Sequence, residues 1–240
     1  MVVGVVVAAG QGSRMGFRKQ YGRLAGRPMW RWSVEALFRG GVERAVLVVP
    51  QDDLAALAAE VAPGWRDRLS LVAGGPTRAC SVANGVRALL SLPGAVDGWI
   101  AVHDAARPFV SPDDVARVIA AARAHGGAIL AEPCVDTMKR ANDEGWIAET
   151  LPRASLWRAQ TPQVFPGRWF QAALDSGAWD EMATDEAAVF ERLGYPVRLV
   201  QATGVNVKVT TPADWAWATW WAEQGRGETP GRGESSCVWV

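Results

Sequence analysis

Two cations close to a glycine-rich turn mark the first place in this sequence where chemistry could occur. Residues 5–22 read VVVAAGQGSRMGFRKQYG. The apolar run ends at Gly10 and Gly12, and Arg14 and Lys19 follow. Glycines allow backbone amides to approach an anionic ligand closely, and two cations in one loop can converge on a polyphosphate. The pattern favours a phosphate-binding loop over an ordinary strand-to-helix turn.

The glycine spacing fits neither of two familiar phosphate-binding motifs. A dinucleotide fingerprint requires G-x-G-x-x-G and an acidic residue after the second strand. Here one additional residue precedes Gly16, and Pro50 follows the second apolar run. A P-loop requires a lysine after its last glycine, where this chain has Phe17. A nicotinamide-dependent oxidoreductase is therefore disfavoured, and it remains the alternative from another class of enzyme.

Lysine is rare in this chain, which directs attention to the positions where it occurs. Of 25 basic residues, the lysines are Lys19, Lys139 and Lys208. A lysine supplies a slim, flexible point charge that a flat guanidinium cannot replace at a crowded site. Lys19 and Lys208 lie in candidate loops, whereas Lys139 is interpreted as a solvated residue of a hairpin.

A second glycine-rich turn, AGGPTRACSVANG, follows the third apolar run. Gly74 and Gly75 leave room for a ligand, and Ser81 can offer a hydroxyl near the start of the next helix. A simple strand-to-helix connection capped by Thr77 or a neighbour accounts for the same residues. The turn alone does not separate these interpretations.

Asp104 and Arg107 lie in a third turn, VHDAARPFV, directly after a buried strand. A carboxylate at this edge can hold a hydrated Mg²⁺ ion or a ribose hydroxyl, and Arg107 offers a forked donor to phosphate. The competing interpretation is an Asp104–Arg107 ion pair that braces the loop.

The elements that carry these turns alternate between strand and helix. Short apolar, β-branched runs occupy residues 2–8, 45–49, 69–73, 99–103 and 128–131. Segments with helical periodicity lie between them, at 30–38, 54–61, 82–90 and 115–124. This alternation predicts an α/β fold with a mostly parallel, Rossmann-like sheet, whose ligands bind at the carboxyl ends of the strands.

The pattern changes after Pro133, where two alternating segments flank a turn at residues 142–145. They predict a β-hairpin, and residues 133–155 are expected to protrude as an arm. A strand at 163–165, helices near 168–174 and 184–193 and a strand at 197–201 then resume the fold. TPADWAWATWWAEQ predicts a closing amphipathic helix, with Pro212 in its first turn and tryptophans as core or interface anchors. Residues 1–224 are expected to form one domain and residues 225–240 a flexible tail.

Composition excludes several classes of function. The chain has 240 residues and a formal net charge of zero, so the basic excess of a nucleic-acid-binding protein is missing. It has no apolar run long enough to span a membrane. MVVGVVVAAG is interpreted as a first strand and not as a signal peptide. Three widely spaced cysteines and two histidines do not suggest a metal cluster, and they favour a reducing, cytoplasmic location.

Taken together, the sequence resembles one family of nucleotidyltransferases, the 2-C-methyl-D-erythritol 4-phosphate cytidylyltransferases. The stretches that carry the resemblance are AAGQGSRMGFRKQY, HDAARPFV, DTMKR, TPQVF, TDEA and NVKVTTPAD. They occur in order between residue 6 and about residue 215. The resemblance implies a nucleotide-diphospho-sugar transferase type of fold whose hairpin arm clasps a second subunit.

The resemblance also implies a reaction. CTP and a methylerythritol phosphate would form a CDP-linked alcohol and pyrophosphate in the non-mevalonate pathway to isoprenoid precursors, with Mg²⁺ as the cofactor. The substrate phosphate would attack the α-phosphorus of CTP directly, so no covalent enzyme intermediate is needed. A ribitol 5-phosphate cytidylyltransferase is the alternative within the same class.

Site residues are carried over motif by motif. By this resemblance the catalytic residues are Arg14, Lys19, Arg153 and Lys208. The nucleotide-binding residues are Ala8, Ala9, Gly10, Gly12, Gly75, Ser81 and Asp104. The substrate-binding residues are Asp104, Arg107, Thr137, Arg153 and Lys208, of which Thr137 and Arg153 would be lent across the dimer interface. Asp104 is also the candidate to hold the metal ion, through water.

Two departures from the family pattern are visible. The family usually reads P-K-Q where this chain has Arg18, Lys19 and Gln20. Arg18 is therefore a candidate to share the charge role of Lys19. Val205 stands before Asn206, where the family often has a polar or acidic residue.

Overall fold

The computed structural model describes residues 1–10, 18–180 and 183–225, and the elements below are those of these residues. The strands are β1 Val2–Val7, β2 Arg23–Leu24, β3 Arg27–Pro28, β4 Arg44–Val49, β5 Leu69–Ala73, β6 Trp99–Asp104, β7 Ala128–Pro133, β8 Lys139–Ala141, β9 Ile147–Thr150, β10 Trp157–Pro166 and β11 Arg198–Gln201. The α-helices are α1 Met29–Arg39, α2 Leu54–Glu60, α3 Arg78–Leu90, α4 Pro112–His125, α5 Gly167–Asp175, α6 Glu186–Arg192 and α7 Pro212–Glu223.

A seven-stranded sheet with the order β11-β7-β10-β6-β1-β4-β5 forms the centre of the described chain. Strand β10 runs antiparallel to β6 and β7, and the remaining neighbours pair in parallel. The predicted α/β fold with a mostly parallel sheet is thereby confirmed. Because β1, β4, β5 and β6 are parallel, the turns that follow them meet at one edge of the sheet.

Alternate residues of each central strand serve two separate cores. Val2 and Val6 of β1 face a cluster that contains Trp30 of α1 and Val115 of α4. Val3 and Val5 of the same strand face the cluster formed by α3, α5 and α6. A strand covered by helices on both faces must be apolar at every position, which explains the unbroken run VVGVVV.

The predicted hairpin is present as β8 and β9. The backbone N–H of Asn142 donates to the carbonyl of Trp146 at 3.0 Å, and Gly145 has a φ of +85° that favours glycine. Residues of both strands are exposed. Val135, Trp146 and Ile147 are 72%, 70% and 67% exposed, so this arm presents apolar surface to its surroundings.

The closing helix α7 begins as predicted, with Thr211 as its N-cap and Pro212 in the first turn. Thr211 and Asp214 form a reciprocal capping box. Trp215, Trp217 and Trp221 pack against a third, smaller cluster that includes Leu24, Met29 and Phe109. Trp220 is 48% exposed. The tryptophans of α7 are thus mainly packing residues. Of the predicted tail, residues 226–240 lie outside the described residues.

Among the described helices, none combines the length and apolarity needed to cross a lipid bilayer.

Candidate active site

The turns after β1, β5 and β6 enclose a cleft of about 290 Å³ at the carboxyl edge of the sheet. Its described lining includes most of the residues predicted to bind nucleotide, namely Ala8, Ala9, Gly10, Gly75, Ser81 and Asp104. Lys19 and Lys208 also line it. The structure therefore brings both loop lysines, 189 positions apart in the chain, to one cavity. Gly12 and Arg14 lie outside the described residues.

Lys19 reaches the cleft from a short 3-10 turn, Lys19–Tyr21. Its Nζ donates to the backbone carbonyl of Val209 at 2.5 Å, next in sequence to Lys208. The neighbouring Gln20 is buried and donates from Nε2 to the carbonyl of Gly10 at 2.8 Å. The turn is therefore joined both to the opening loop and to the segment that carries the second lysine.

The glycine turn after β5 packs closely against the opening loop. A Cβ atom on Gly74 would stand 2.4 Å from the Cβ of Ala9, so only glycine fits between the loops. Ser81 is buried, donates to the carbonyl of Thr77 at 2.9 Å and accepts the N–H of Gly75 at 3.0 Å. Thr77 caps α3 by accepting from the N–H of Cys80. The capped connection is confirmed and lines the cleft, while ligand binding by this turn stays a prediction.

Four alternating charges form a line that begins at the cleft, where Lys208, Asp104 and Arg78 are lining residues. Lys208 Nζ lies 2.6 Å from Oδ2 of Asp104, whose Oδ1 lies 3.0 Å from Nε of Arg78. Arg78 extends its other nitrogens to Glu186, with Nη1 2.7 Å from Oε1. Asp104 is thus braced by Arg78 and Lys208, whereas Arg107, its partner in the competing interpretation, donates from Nη1 to the carbonyl of Asn206. The bracing partner is a residue that sequence reasoning did not select.

Burial and pairing act in opposite directions on the two carboxylates in this line. Burial alone would raise the pKa of Asp104, but the adjacent Arg78 and Lys208 outweigh it and hold that pKa well below its usual range. For Glu186, burial prevails over the attraction of Arg78, so its pKa is raised. Asp104 is accordingly an anion at neutral pH, and its charge holds Lys208 at the cleft.

His103 is fully buried next to Asp104, and its hydrogen bonds hold the turn after β6 in place. Its Nε2 lies 3.1 Å from the carbonyl oxygen of Arg107, which can only accept, so Nε2 carries the proton. Its Nδ1 then accepts from the hydroxyl of Thr161 at 3.0 Å, and that hydroxyl oxygen accepts the N–H of Asp104 at 3.1 Å. This chain requires a neutral ring, and burial lowers the pKa of His103 to about 4.

The neutral state of His103 predicts a dependence of stability on pH. Between pH 6.5, the ordinary pKa of histidine, and about 4, the unfolded chain binds a proton that the folded chain does not. The free energy of unfolding should therefore fall as pH is lowered through this range, by up to about 1.4 kcal/mol per pH unit. Urea unfolding at several pH values measures it.

The substitution His103→Asn should remove that contribution and flatten the pH dependence. His125→Asn is the matched control, because His125 is exposed at the end of α4. Parallel pH profiles for His103→Asn and the wild type would contradict the assignment.

A second cavity of about 450 Å³ adjoins the first, and Lys208 lines both. Arg107 lines the second cavity and donates from Nη1 to the carbonyl of Asn206 at 2.7 Å. Burial lowers the pKa of Arg107, although arginine stays charged in proteins. Gln160 and Asn206 border this cavity and bond to each other, with Asn206 Nδ2 2.8 Å from Gln160 Oε1.

An irregularity in β10 brings its polar side chains to this place. The pairing register of β10 with β7 shifts between Ala159 and Gln163, and such bulges redirect side chains. Gln160 and Thr161 lie within the shift and are buried, and Gln160 lines the second cavity. The predicted strand at 163–165 is confirmed, but the polar half that precedes it belongs to the same strand.

The segment between β11 and α7 carries Lys208 and is held by a carboxylate at each end. Asp114 of α4 accepts from the N–H and hydroxyl of Thr203 and from the N–H of Gly204. Asp214 of α7 accepts from the N–H and hydroxyl of Thr210, each at 2.8 Å. Lys208 therefore sits on a segment whose two ends are anchored to separate helices.

Thr137 and Arg153 lie on the arm, away from both cavities. Both are exposed, and the described residues that line the two cavities include neither. Arg153 donates from Nη1 to the carbonyl of Val135 at 2.5 Å, within the arm. Their predicted roles depend on a second subunit and stay predictions.

The fold and the site together define a class. A mostly parallel sheet covered by helices, with a glycine-bordered and lysine-lined cleft at its carboxyl edge, is an α/β fold of the nucleotidyltransferase type. A 4-diphosphocytidyl-2C-methyl-D-erythritol synthase from Anaerococcus prevotii aligns with a TM-score of 0.80 at 26% identity, over 93% of this chain and 96% of that one. A 2-C-methyl-D-erythritol 4-phosphate cytidylyltransferase from Thermus thermophilus aligns with a TM-score of 0.70 at 31% identity, over 93% and 100%.

The sequence identifies the family within that class. A family model for 2-C-methyl-D-erythritol 4-phosphate cytidylyltransferase (IspD) matches residues 2–224. The enzyme of that name from Ralstonia nicotianae is 42% identical over 224 residues, 89% of this chain and 88% of the relative. The one from Aeromonas hydrophila is 39% identical over 239 residues, 96% of this chain and 93% of the relative. The chain belongs to the 2-C-methyl-D-erythritol 4-phosphate cytidylyltransferase family and is a nucleotidyltransferase.

Proposed function

We propose that the two adjoining cavities bind CTP and 2-C-methyl-D-erythritol 4-phosphate and join them into 4-CDP-2-C-methyl-D-erythritol, in the pathway to isoprenoid precursors. An oxygen of the acceptor phosphate forms a bond to the α-phosphorus of CTP. The bond from that phosphorus to the bridging oxygen breaks, and pyrophosphate leaves. The observation that carries the proposal is Lys208, which lines both cavities and so stands where the acceptor and the nucleotide meet.

On the nucleotide side, the opening loop and the turn after β5 supply close-fitting backbone. Ala8, Ala9 and Gly10 face Gly75 and Ser81 across the cleft and frame the nucleotide. Lys19 lies at the same cleft, and its charge stabilises the negative charge that builds on the α-phosphate and on the leaving pyrophosphate. Gly12 and Arg14 are proposed for the same loop on the basis of the sequence.

On the acceptor side, Arg107 and Lys208 provide positive charge for the substrate phosphate, and Asp104 accepts from the alcohol or from a ribose hydroxyl. Thr137 and Arg153 are proposed to complete this half of the site from a second subunit. The exposed apolar side chains Val135, Trp146 and Ile147 on the arm support a homodimer, because apolar surface of this kind is typical of interfaces.

The residues present fit a Mg²⁺ ion held mainly by substrate. Asp104 is a carboxylate lining the cleft, yet each of its oxygens already accepts from a cation. Within the described chain, no group of three or more metal-ligating residues is found. Mg²⁺ keeps several waters and binds through one or two carboxylates plus phosphates, so Asp104 would hold it through water. The ion, when bound, neutralises charge on the phosphates.

Pyrophosphate release tests the proposed reaction. The protein, with CTP, Mg²⁺ and 2-C-methyl-D-erythritol 4-phosphate, should release pyrophosphate and form the CDP-linked alcohol. Ribitol 5-phosphate is the comparison acceptor, and UTP and ATP are the comparison nucleotides. Turnover with another pair, and none with CTP and the methylerythritol phosphate, would overturn the assignment. We also propose a cytoplasmic location, which fits the small number and wide spacing of the cysteines.

Lys208→Ala should impair use of the acceptor more than use of CTP. A hydrogen bond to a charged group contributes about 1.5–3 kcal/mol, so kcat/KM for the acceptor should fall roughly 10- to 100-fold. Lys139→Ala is the matched control, because Lys139 is exposed and bonds to Thr150 within the arm. An equal loss for both substrates would contradict the assignment of Lys208 to the acceptor phosphate.

A further inference from the structure

The 3-10 turn Lys19–Tyr21 points three consecutive side chains at three different elements. Lys19 bonds to Val209, Gln20 bonds to Gly10, and the hydroxyl of Tyr21 donates to Oδ2 of Asp53 at 2.7 Å. Its own backbone bonds are short-range: Tyr21 N–H to the carbonyl of Arg18, and Gly22 N–H to that of Lys19. A turn this short has little rigidity of its own, so its side-chain anchors decide where Lys19 stands.

Asp53 brackets this turn from both sides. Nη1 of Arg18, which precedes the turn, lies 2.7 Å from Oδ1 and 2.6 Å from Oδ2 of Asp53. Tyr21, at the end of the turn, donates to the same carboxylate. One acidic side chain therefore binds the residues on either side of Lys19 and Gln20. These contacts of Asp53 with Arg18 and Tyr21 are called the bracket.

Asp53 is fixed to the central sheet. It belongs to a 3-10 turn, Gln51–Asp53, that follows β4 after Pro50, and β4 pairs directly with β1. The bracket thus joins the lysine turn to the strand beside the one that leads into the opening loop. Arg18 and Asp53 are not among the described residues that line the two cavities. Their effect on the cleft must therefore pass through the position of Lys19.

We propose that Asp53, with Arg18 and Tyr21, is a positioning device that holds Lys19 at the nucleotide cleft. The inference rests on the proposed function insofar as Lys19 acts on the phosphates. Arg18 does not share the charge role of Lys19, because its guanidinium is committed to Asp53. A displacement of a catalytic group by about 1 Å can cost on the order of 100-fold in rate, so a modest loosening is measurable.

The bracket is partly exposed, so its strength should depend on ionic strength. The Arg18 side chain is 45% exposed and that of Asp53 is 20% exposed. Salt screens such pairs, so turnover should decline with ionic strength in part because the bracket weakens. If an uncharged constraint on the backbone held Lys19 instead, turnover should depend less on ionic strength.

Arg18→Pro provides this constraint. Arg18 has a φ of −77°, within the range that proline requires, and its backbone N–H donates to no backbone carbonyl of the described residues. Arg18→Ala loses the bracket without replacing it. We expect Arg18→Ala and Asp53→Ala to lower kcat about 5- to 20-fold with less than threefold change in KM for CTP, while Arg18→Pro keeps most of the kcat and depends less on salt.

Hydrogen exchange gives a readout that needs no activity. The amides of Tyr21 and Gly22 close the lysine turn and should exchange faster in Asp53→Ala than in the wild type. Arg192→Ala is the control, because Arg192 is 44% exposed and pairs with Asp180 elsewhere on the surface. Inactive wild-type protein would overturn the proposed function but leave the exchange result to decide the bracket.

Two outcomes would overturn the inference itself. One is unchanged amide exchange at Tyr21 and Gly22 in Asp53→Ala. The other is an equal loss of kcat in Arg18→Ala and Arg18→Pro, which would mean that the charge of Arg18 acts directly on the substrate.

Discussion

Lys19→Ala should lower kcat about 100- to 1000-fold, roughly 3–4 kcal/mol of transition-state stabilisation, with only a few-fold change in the KM for CTP. The physical reason is that charge on the phosphates increases as the bond to pyrophosphate breaks. A fixed cation at the cleft therefore stabilises the transition state more than the bound substrate. Steady-state and single-turnover assays of pyrophosphate release separate the two effects.

Arg44→Ala is the control for this measurement, because Arg44 is exposed at the amino end of β4, the edge of the sheet opposite the cleft. An unchanged kcat in Lys19→Ala together with weaker CTP binding would contradict a role in the transition state. Lys19 would then stabilise the bound nucleotide and the transition state equally.

Arg78→Met should lower the free energy of unfolding by about 3–5 kcal/mol, because it leaves the buried carboxylates of Glu186 and Asp104 without their shared partner. The side chain of Glu186 is 1% exposed, so water cannot replace the lost contacts. Domains are stable by only about 5–15 kcal/mol, so a loss of this size is a large fraction of the total. Urea unfolding followed by tryptophan fluorescence measures it.

Arg87→Met is the matched control, on the same helix. Arg87 is exposed, and its guanidinium donates to Oδ1 of Asn84. Adding Glu186→Gln to Arg78→Met should recover part of the lost stability, because the buried charge is removed. Should Arg78→Met be as stable as Arg87→Met, the line of charges would have no structural role.

The elements of the fold could be predicted from the sequence because each depends on local pattern. The run VVGVVV predicts a strand buried on both faces, and β5 occupies the predicted residues 69–73. Asn142 and Gly145 carry the turn chemistry of the hairpin within four residues. The order of the strands was not predicted, nor was the antiparallel insertion of β10 between β6 and β7, since these arise from packing between distant segments.

Candidate residues could be predicted where the local sequence marks them, as for Asp104 directly after a buried strand and for Lys208 as a rare lysine. The residues that support them were missed. Arg78 and Glu186 lie 108 positions apart, and each resembles an ordinary charged residue in the first turn of a helix. Asp53 lies 35 positions from Arg18. Thr161 lies two residues before the start of the predicted strand at 163–165. Periodicity reports which face of an element is buried, but it does not report a pairing partner.

The line from Lys208 through Asp104 and Arg78 to Glu186 also affects which anions can occupy the cleft in a cell. Its four charges cancel, and Lys208 is already paired at 2.6 Å before any ligand arrives. An incoming anion must compete with Asp104 for that ammonium group. Chloride or a single inorganic phosphate offers little in exchange, whereas a substrate that also contacts Arg107 gains enough to displace the internal partner. We therefore expect the internal carboxylate to weaken the binding of small anions at Lys208 more than the binding of a phosphate that also contacts Arg107.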